Sequence, residues 1–209
     1  MTIIFDLDGT LIDSSERMYR LFQELVPESD FSKEGYWELK RNKVNHKMLL
    51  ERYFPKYDFD DFNVKWLKRI EAEEYLNTDI LYYDTVDTLK TLKNRGIEII
   101  LLTARQSKEG LYRELERLGI DIFFDIILTT GGSKSKELLL KDSGILDKIN
   151  DTDSVFFVSD MGKDIMAGKE FGLKTIAVTH GFMNEKCLSE YKPDIIIHNL
   201  EEILTIEDK

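Results

Sequence analysis

The sequence predicts an α/β protein, in which a parallel β-sheet is covered by helices on both faces and interrupted by a helical insertion. After Leu81, short apolar runs alternate regularly with stretches whose apolar residues recur at helical spacing. From about residue 15 to 80, no run is typical of a buried strand, although apolar residues recur at helical intervals among many charges. The pattern therefore assigns residues 1–14 and 80–209 to the core and 15–79 to the insertion.

The elements of the core can be predicted one by one. Residues 2–5, "TIIF", are almost wholly apolar, as expected for a strand covered on both faces. Further strands are expected at residues 97–103, 125–128, 154–160 and 174–178, and in a short run from Asp194. Helices are predicted between them, and two of these end at glycines, Gly96 and Gly119, which commonly terminate helices. Within the insertion we expect three or four amphipathic helices.

Length, net charge and cysteine content indicate what kind of protein to expect. The chain has 209 residues, enough for one sizeable domain or a domain with a modest insertion. A formal net charge of −11 argues against a nucleic-acid partner, which normally meets a basic surface. The single cysteine, Cys187, cannot form an internal disulfide, which favours a reducing compartment. No stretch resembles a signal peptide or is long enough to span a bilayer, so we expect a soluble cytoplasmic protein without a membrane partner.

Polar side chains follow the ends of several predicted strands. They are, in chain order, Asp6, Asp8, Thr10, Thr103, Arg105, Ser159, Asp160 and Asp164. In an open parallel sheet such groups meet at one edge, where ligands bind. Several carboxylates at one edge repel one another unless a cation lies among them, and all-oxygen ligands favour a hard ion such as Mg²⁺. No histidine or thiol lies in these turns, so a zinc site is not expected.

One of these carboxylates is also a candidate nucleophile, because aspartate can form an aspartyl-phosphate. That chemistry requires a metal, a hydroxyl group and a lysine to take up phosphoryl charge. A second carboxyl group close to the first can serve as a general acid and then as a general base.

The same residues resemble a known family. "DLDGT" (residues 6–10), "LLTAR" (101–105), a later lysine and "SDMGKD" (159–164) resemble, in order, the four motifs of the haloacid dehalogenase-like hydrolase superfamily. The insertion is similar to the small helical cap of phosphoglycolate-phosphatase-like members. The resemblance covers the whole chain and implies a Rossmann-like core with an α-helical cap. It also implies Mg²⁺-dependent hydrolysis of a small phosphorylated metabolite through an aspartyl-phosphate.

The resemblance also implies a role for each motif residue. Asp6 would be the nucleophile, and Asp8 would protonate the leaving group and then deprotonate water. Mg²⁺ would be held by Asp6, Asp160 and the main-chain carbonyl of Asp8, with Asp164 supporting the metal shell. The phosphoryl group would be bound by Thr103, the backbone after Asp6 and the lysine of the third motif. We further expect substrate contacts from Thr10, Ala104 and Arg105.

The sequence departs from the family pattern at two points. The third motif lacks the usual Lys-Pro pair, so Lys134 and Lys136 are both candidates for its lysine. Ser159 stands where glycine is usual, a variation that the superfamily allows.

Several of these residues also have a purely structural interpretation. Asp8-Gly9 could form only a tight turn, and Asp160 could only cap the following helix. In the insertion, "YWELKRNKVNH" (residues 36–46) combines basic and aromatic side chains, which could present cations to an anionic leaving group. We favour the simpler interpretation, in which Trp37 packs inside the insertion and the lysines face solvent.

Other activities remain as alternatives. An acid at Asp8 disfavours a dehalogenase or a phosphonatase of the same superfamily. A sugar phosphomutase is the nearest rival, and a non-catalytic regulatory or binding protein with the same fold is the second. The sequence predicts neither the identity of the substrate nor the oligomeric state.

Overall fold

A computed structural model describes residues 1–146 and 152–206 of the chain. Its strands are β1 (Thr2–Phe5), β2 (Ile12–Asp13), β3 (Ile80–Leu81), β4 (Glu98–Thr103), β5 (Ile126–Thr129), β6 (Val155–Ser159), β7 (Lys174–Val178) and β8 (Ile195–Ile197). Six of them form one sheet in the order β5-β4-β1-β6-β7-β8, in which every neighbouring pair is parallel. This confirms the predicted parallel sheet and places β1 at its centre.

Helices cover both faces of this sheet because alternate residues of each strand point to opposite sides. The helices of the core are α6 (Thr85–Asn94), α7 (Lys108–Leu118), α8 (Lys136–Asp142), α9 (Gly162–Glu170) and α10 (Glu185–Ser189), followed by a 3₁₀-helix at Leu200–Thr205. Phe5 of β1 packs on one face with Leu89 of α6 and Leu111 of α7. On the other face, Ile4 packs with Leu140 of α8. The two faces thus bury separate apolar clusters.

The insertion is wholly helical and has its own apolar interior. Its helices are α1 (Ser15–Leu25), α2 (Lys33–Arg41), α3 (His46–Tyr53), α4 (Phe59–Arg69) and α5 (Glu73–Leu76). Ser32, Asn45 and Asp58 cap α2, α3 and α4 by accepting hydrogen bonds from backbone N–H groups three residues later. Phe22 and Trp66 belong to the buried cluster between these helices. The prediction of amphipathic helices is therefore confirmed, with the single turn of α5 in addition.

The chain enters and leaves the insertion through two short strands that the sequence did not reveal. β2 and β3 pair antiparallel, Ile12 with Leu81 and Asp13 with Ile80. Two residues are too few to show a periodic pattern. The five residues of α10 were also too few for a helix to be predicted from their pattern. The last predicted helix is present as a 3₁₀-helix. The domain boundaries at 14/15 and 79/80 stay a prediction.

One contact between the insertion and the core joins α2 to the loop after β7. Arg41 donates hydrogen bonds to the carbonyl oxygens of Thr179, His180 and Gly181 at 2.8, 3.0 and 3.1 Å. Trp37 was expected to pack inside the insertion. Its ring also lies against Phe182 of the core, with 5.0 Å between the ring centroids, so that expectation was incomplete.

The other members of the basic and aromatic cluster have mainly structural partners. Tyr36 is buried, and its hydroxyl lies 2.8 Å from Nε2 of His46 inside the insertion. Lys43 pairs with Glu190 of the core at 2.6 Å. Lys40 is half-buried, and burial lowers its pKa to about 8. Within residues 1–146 and 152–206, no helix is long and apolar enough to cross a membrane.

We expect Arg41→Met to weaken the packing of the insertion against the core. The substitution removes three charge-assisted hydrogen bonds to the carbonyls of residues 179–181, so the free energy of unfolding should fall by about 1.5–3 kcal/mol. Urea unfolding measures this change, and hydrogen exchange at residues 33–45 should become faster. Arg52→Met, at an exposed position on α3, is the control and should stay within about 0.5 kcal/mol of the wild type.

Candidate active site

Three neighbouring strands bring the predicted motif residues to one edge of the sheet. β1 lies between β4 and β6, so Asp6, directly after β1, stands between Thr103 at the end of β4 and Asp160, directly after β6. The backbone N–H of Asp6 donates to the carbonyl of Val158 at 3.0 Å, which fixes its position beside β6. The predicted convergence of these groups at the carboxyl ends of the strands is therefore observed.

A tight turn follows β1 and requires glycine. Gly9 has φ +82°, and a Cβ atom there would lie 2.1 Å from Oδ2 of Asp160. The turn is closed by hydrogen bonds, including one from Gly9 N to the carbonyl of Ile12 at 2.8 Å. The N–H groups of Leu7 and Asp8 have no acceptor among the described residues, so this turn offers two donors next to Asp6.

Asp6 is buried in contact with a lysine. Nζ of Lys136 donates to Oδ1 of Asp6 at 2.5 Å and to Oδ2 of Asp164 at 2.6 Å. Burial raises the pKa of Asp6 to about 7, against the opposing charge of Lys136. Burial alone would lower the pKa of Lys136, but the charges of Asp164 and Asp6 raise it above its ordinary value. Lys136 is therefore charged and lies against the predicted nucleophile.

Lys134, the other candidate for the third motif, lies elsewhere. Its ammonium group pairs with Asp142 at 2.7 Å on the surface, where both side chains are more than two-fifths exposed. This corrects its assignment to the site. The two lysines differ because α8 begins between them. Lys136 is the first residue of that helix and contacts Asp6, whereas Lys134 lies before the capping residue Ser135.

Asp160 is held by the two turns that flank it. Its Oδ2 accepts a hydrogen bond from the backbone N–H of Phe182 at 2.5 Å, and its Oδ1 accepts from Oγ1 of Thr10 at 3.3 Å. Gly181 allows this approach, since a Cβ atom there would lie 2.2 Å from Oδ2 of Asp160. Burial raises the pKa of Asp160 well above its ordinary value, and the charge of Asp6 adds to the shift.

The structure corrects the expected role of Thr10. We predicted a substrate contact, but the Thr10 side chain is fully buried and both donates to and accepts from Asp160. Its hydroxyl group is thus occupied in orienting that carboxylate.

Ser159 has a clear function in place of the usual glycine. Its hydroxyl donates to Oδ2 of Asp164 at 2.8 Å and accepts from the N–H of Met161 at 3.1 Å. The carboxylate of Asp164 is therefore fixed from two sides, by Ser159 and by Lys136.

Asp8 lies in a buried network of charges. Arg105 donates from Nε to Oδ2 of Asp8 at 2.7 Å and from Nη2 to Oδ1 at 3.0 Å, and Arg17 donates to Oδ1 as well. Both arginines also contact Asp79, and Arg105 pairs with Glu114 at 2.8 Å. Burial would raise the pKa of Asp8, but the guanidinium groups of Arg105 and Arg17 outweigh it and hold that pKa below its ordinary value.

This network corrects the expected role of Arg105. We predicted a substrate contact, but the residue is only 3 % exposed and its guanidinium group is engaged by carboxylates. Glu114 on α7 adds a further carboxylate behind it, so the charge of Arg105 is directed into the protein and towards Asp8.

The remaining predicted residues lie at the end of β4. Thr103 is fully buried, and its Oγ1 accepts from the N–H of Arg105 at 3.4 Å, which leaves its own hydroxyl hydrogen available. Ala104 is exposed beside it and has only backbone groups to offer a ligand. Their predicted contacts with a phosphoryl group stay a prediction.

Sequence reasoning missed three groups of this site: Arg17, Asp79 and the N–H of Phe182. Arg17 was one charge among many on an amphipathic helix, and nothing local distinguishes it. A weak signal existed for Asp79, which stands next to the strand that resumes the core. A backbone donor such as Phe182 N has no signature in the sequence.

The donor set at this edge fits a magnesium ion. No group of three or more carboxylate, imidazole or thiol side chains in the described ranges has an arrangement that could hold a metal by itself. Mg²⁺ commonly uses only one or two protein carboxylates and takes its other oxygens from water, substrate and main chain. Asp6 and Asp160 supply such a pair, and the charge of Asp6 raises the pKa of Asp160, which a cation between them would relieve.

The chain is similar to known proteins over nearly its whole length. The chain is 26 % identical to pyrophosphatase PpaX of Bacillus pumilus, over 98 % of this chain and 95 % of that protein. It is 24 % identical to phosphoglycolate phosphatase 1 of Pseudomonas aeruginosa, over 99 % of this chain and 79 % of that protein. A haloacid dehalogenase-like family hydrolase of Streptococcus pneumoniae has the same fold, with a TM-score of 0.78, 22 % identity and 98 % and 96 % of the two chains covered.

The family model of haloacid dehalogenase-like hydrolases matches residues 3–178, from β1 to the last residue of β7. That span includes every predicted site residue, and the chain belongs to the haloacid dehalogenase-like hydrolase family.

Proposed function

We propose that the protein is a Mg²⁺-dependent phosphatase that hydrolyses a small phosphorylated metabolite through an aspartyl-phosphate on Asp6. The observation that supports this most is the placement of a charged lysine, Lys136, against Asp6 at the open end of the central strand. A carboxylate needs a cation beside it to approach an anionic phosphoryl group, and Lys136 supplies one.

In the first step, a carboxylate oxygen of Asp6 attacks phosphorus, and the bond between phosphorus and the leaving oxygen breaks. Asp8 transfers a proton to that oxygen, for which it must first take up a proton against the charges of Arg105 and Arg17. Lys136 and the free N–H groups of Leu7 and Asp8 stabilise the negative charge that develops on the phosphoryl oxygens.

In the second step, Asp8 accepts a proton from water, whose oxygen attacks the same phosphorus. The bond between phosphorus and Asp6 breaks, and inorganic phosphate leaves. When bound by Asp6, Asp160 and the main-chain carbonyl of Asp8, magnesium adds positive charge beside the phosphoryl group. Thr103 contributes a further hydrogen bond from its free hydroxyl hydrogen.

The helical insertion supports a small substrate. It contacts the core on the side of Asp160, through Arg41 and Trp37, and so covers the strand ends. We propose that it acts as the cap of this enzyme, which excludes bulk water and selects the leaving group. A phosphate monoester is the first candidate. Inorganic pyrophosphate is the second, because the chain is similar over nearly its full length to a pyrophosphatase.

The two rival functions predict different products. A sugar phosphomutase would yield an isomerised sugar phosphate without free phosphate. A non-catalytic protein would bind phosphorylated ligands without turnover. Release of phosphate from 4-nitrophenyl phosphate, pyrophosphate or phosphoglycolate, measured with Mg²⁺, separates hydrolysis from both rivals.

We expect Asp6→Asn to lower phosphate release by at least about 10³-fold, because the amide cannot form the acyl phosphate. The measurement is steady-state phosphate release with Mg²⁺ present, and circular dichroism verifies the fold. Asp142→Asn, which removes a surface carboxylate, is the matched control and should retain wild-type turnover. Wild-type turnover by Asp6→Asn contradicts the assignment of the nucleophile.

The two lysines provide a second comparison. Lys136→Met should lower kcat by about 10²–10³-fold, because a charge-stabilising donor beside Asp6 is lost. Lys134→Met removes only an exposed ion pair and should leave kcat unchanged. If Lys136→Met keeps the wild-type kcat, Lys136 is not the lysine that supports the phosphoryl group.

Removal of the metal is a third test. A chelator should abolish phosphate release, and added Mg²⁺ should restore it. Asp160→Asn should raise the Mg²⁺ concentration that gives half-maximal activity by at least about tenfold, because one ligand is weakened. An unchanged Mg²⁺ dependence in this variant would show that Asp160 does not hold the metal.

A further inference from the structure

Residues at both ends of the insertion contact Asp8 or the arginines that bind it. Arg17 lies in the first turn of α1, at the start of the insertion, and is only 4 % exposed. It donates from Nη2 to Oδ1 of Asp8 and from Nη1 to the carbonyl of Ile70 at 3.4 Å. Its Nε lies 3.1 Å from Oδ2 of Asp79, which immediately precedes β3 at the end of the insertion. Two nitrogens of this guanidinium group therefore donate hydrogen bonds, while Nε only lies close to the Asp79 carboxylate.

A second arginine approaches the same carboxylates from the core. Arg105 engages Oδ2 and Oδ1 of Asp8 and donates from Nη2 to Oδ2 of Asp79 at 3.2 Å. The two guanidinium groups thus share the two carboxylates of Asp8 and Asp79, with one arginine from each part of the protein. Because both oxygens of Asp8 accept hydrogen bonds, its carboxylate has one orientation rather than several.

We propose that Arg17 is a positioning residue for Asp8, through which the insertion sets the orientation of the acid/base group in the reaction proposed above. This inference rests on the proposed function. Arg105 binds Asp8 from the core. Arg17 adds a hydrogen bond from α1, which forms only when α1 lies in the position seen here. Asp79 is fully buried and pairs with both arginines, which keeps their guanidinium groups side by side.

Two other roles for Arg17 fit the contacts less well. A substrate contact would require an accessible donor, but the side chain is buried, two of its nitrogens donate to Asp8 and Ile70, and Nε lies beside the buried Asp79. A purely structural ion pair would need only Asp79, which lies at the junction of insertion and core. The additional bond to Asp8, a residue of the first motif, is what links Arg17 to the chemistry.

The test compares two substrates that differ in their leaving group, phenyl phosphate and 4-nitrophenyl phosphate. Protonation by Asp8 matters most for the more basic phenolate. Single-turnover release of the leaving group reports the first step alone, and its substrate dependence separates the maximal rate from half-saturation. In Arg17→Met the maximal rate with phenyl phosphate should fall about 10- to 100-fold, because the lost orientation of Asp8 outweighs its easier protonation once the charge of Arg17 is gone. The loss with 4-nitrophenyl phosphate should be much smaller, and half-saturation should stay near the wild-type value.

Two further variants make the result specific. Arg17→Lys keeps the charge and should recover part of the lost rate. Arg20→Met removes an exposed arginine from the same helix, three residues further on, and should behave as the wild type. Equal loss with both substrates, a change confined to half-saturation, or an increase in rate would each overturn the proposal.

A measurement that does not depend on activity tests the link itself. In a double-mutant cycle of Arg17→Met and Asp8→Asn, the shifts in the urea midpoint of unfolding should be clearly non-additive. Additive shifts would overturn the link. A wild-type protein that releases no phosphate with Mg²⁺ would overturn the proposed function instead, and the unfolding cycle would still report whether Arg17 and Asp8 are coupled.

Discussion

The structure depends on the compensation of buried negative charge at the end of the central strand. Asp6, Asp160 and Asp164 are all nearly or fully buried, and carboxylates lose most of their hydration there. Lys136 supplies a positive charge between Asp6 and Asp164, while Thr10, Ser159 and the N–H of Phe182 supply hydrogen bonds. These partners offset burial only in part, so a cation at this edge would further favour the ionised carboxylates.

Burial and neighbouring charges shift the pKa values of the carboxyl groups in this site in opposite directions. Burial raises the pKa values of Asp6 and Asp160, and a single lysine only partly opposes it. Asp8, by contrast, lies between two guanidinium groups that hold its pKa below the ordinary value. Carboxylates two residues apart in the chain therefore have opposite environments. The two guanidinium groups keep Asp8 ionised, which suits the step in which it accepts a proton from water, whereas Asp6 depends on Lys136 and a cation to be ionised for attack on phosphorus.

Much of the fold could be predicted because its signals are local. Each buried strand is a continuous apolar run, and the motif residues follow the strands directly, so adjacency in the sheet brings Asp6, Thr103 and Asp160 together. What could not be predicted depends on long-range placement. Lys134 and Lys136 are equivalent in the sequence and differ only in where α8 begins. Likewise, Arg105 and Thr10 looked available to a ligand until the structure showed the carboxylates that already engage them.

The antiparallel pairing of β2 and β3 has a consequence for how such enzymes diversify. Because the chain leaves the core at Asp13 and returns at Ile80, its direct partner, the entire helical segment departs and rejoins at one point. A segment of another length or shape could be grafted there without disturbing the order of the main sheet. The inserted segment can therefore change without moving the residues at the strand ends, so that, under the proposed function, a different substrate could be selected while the reacting groups keep their positions.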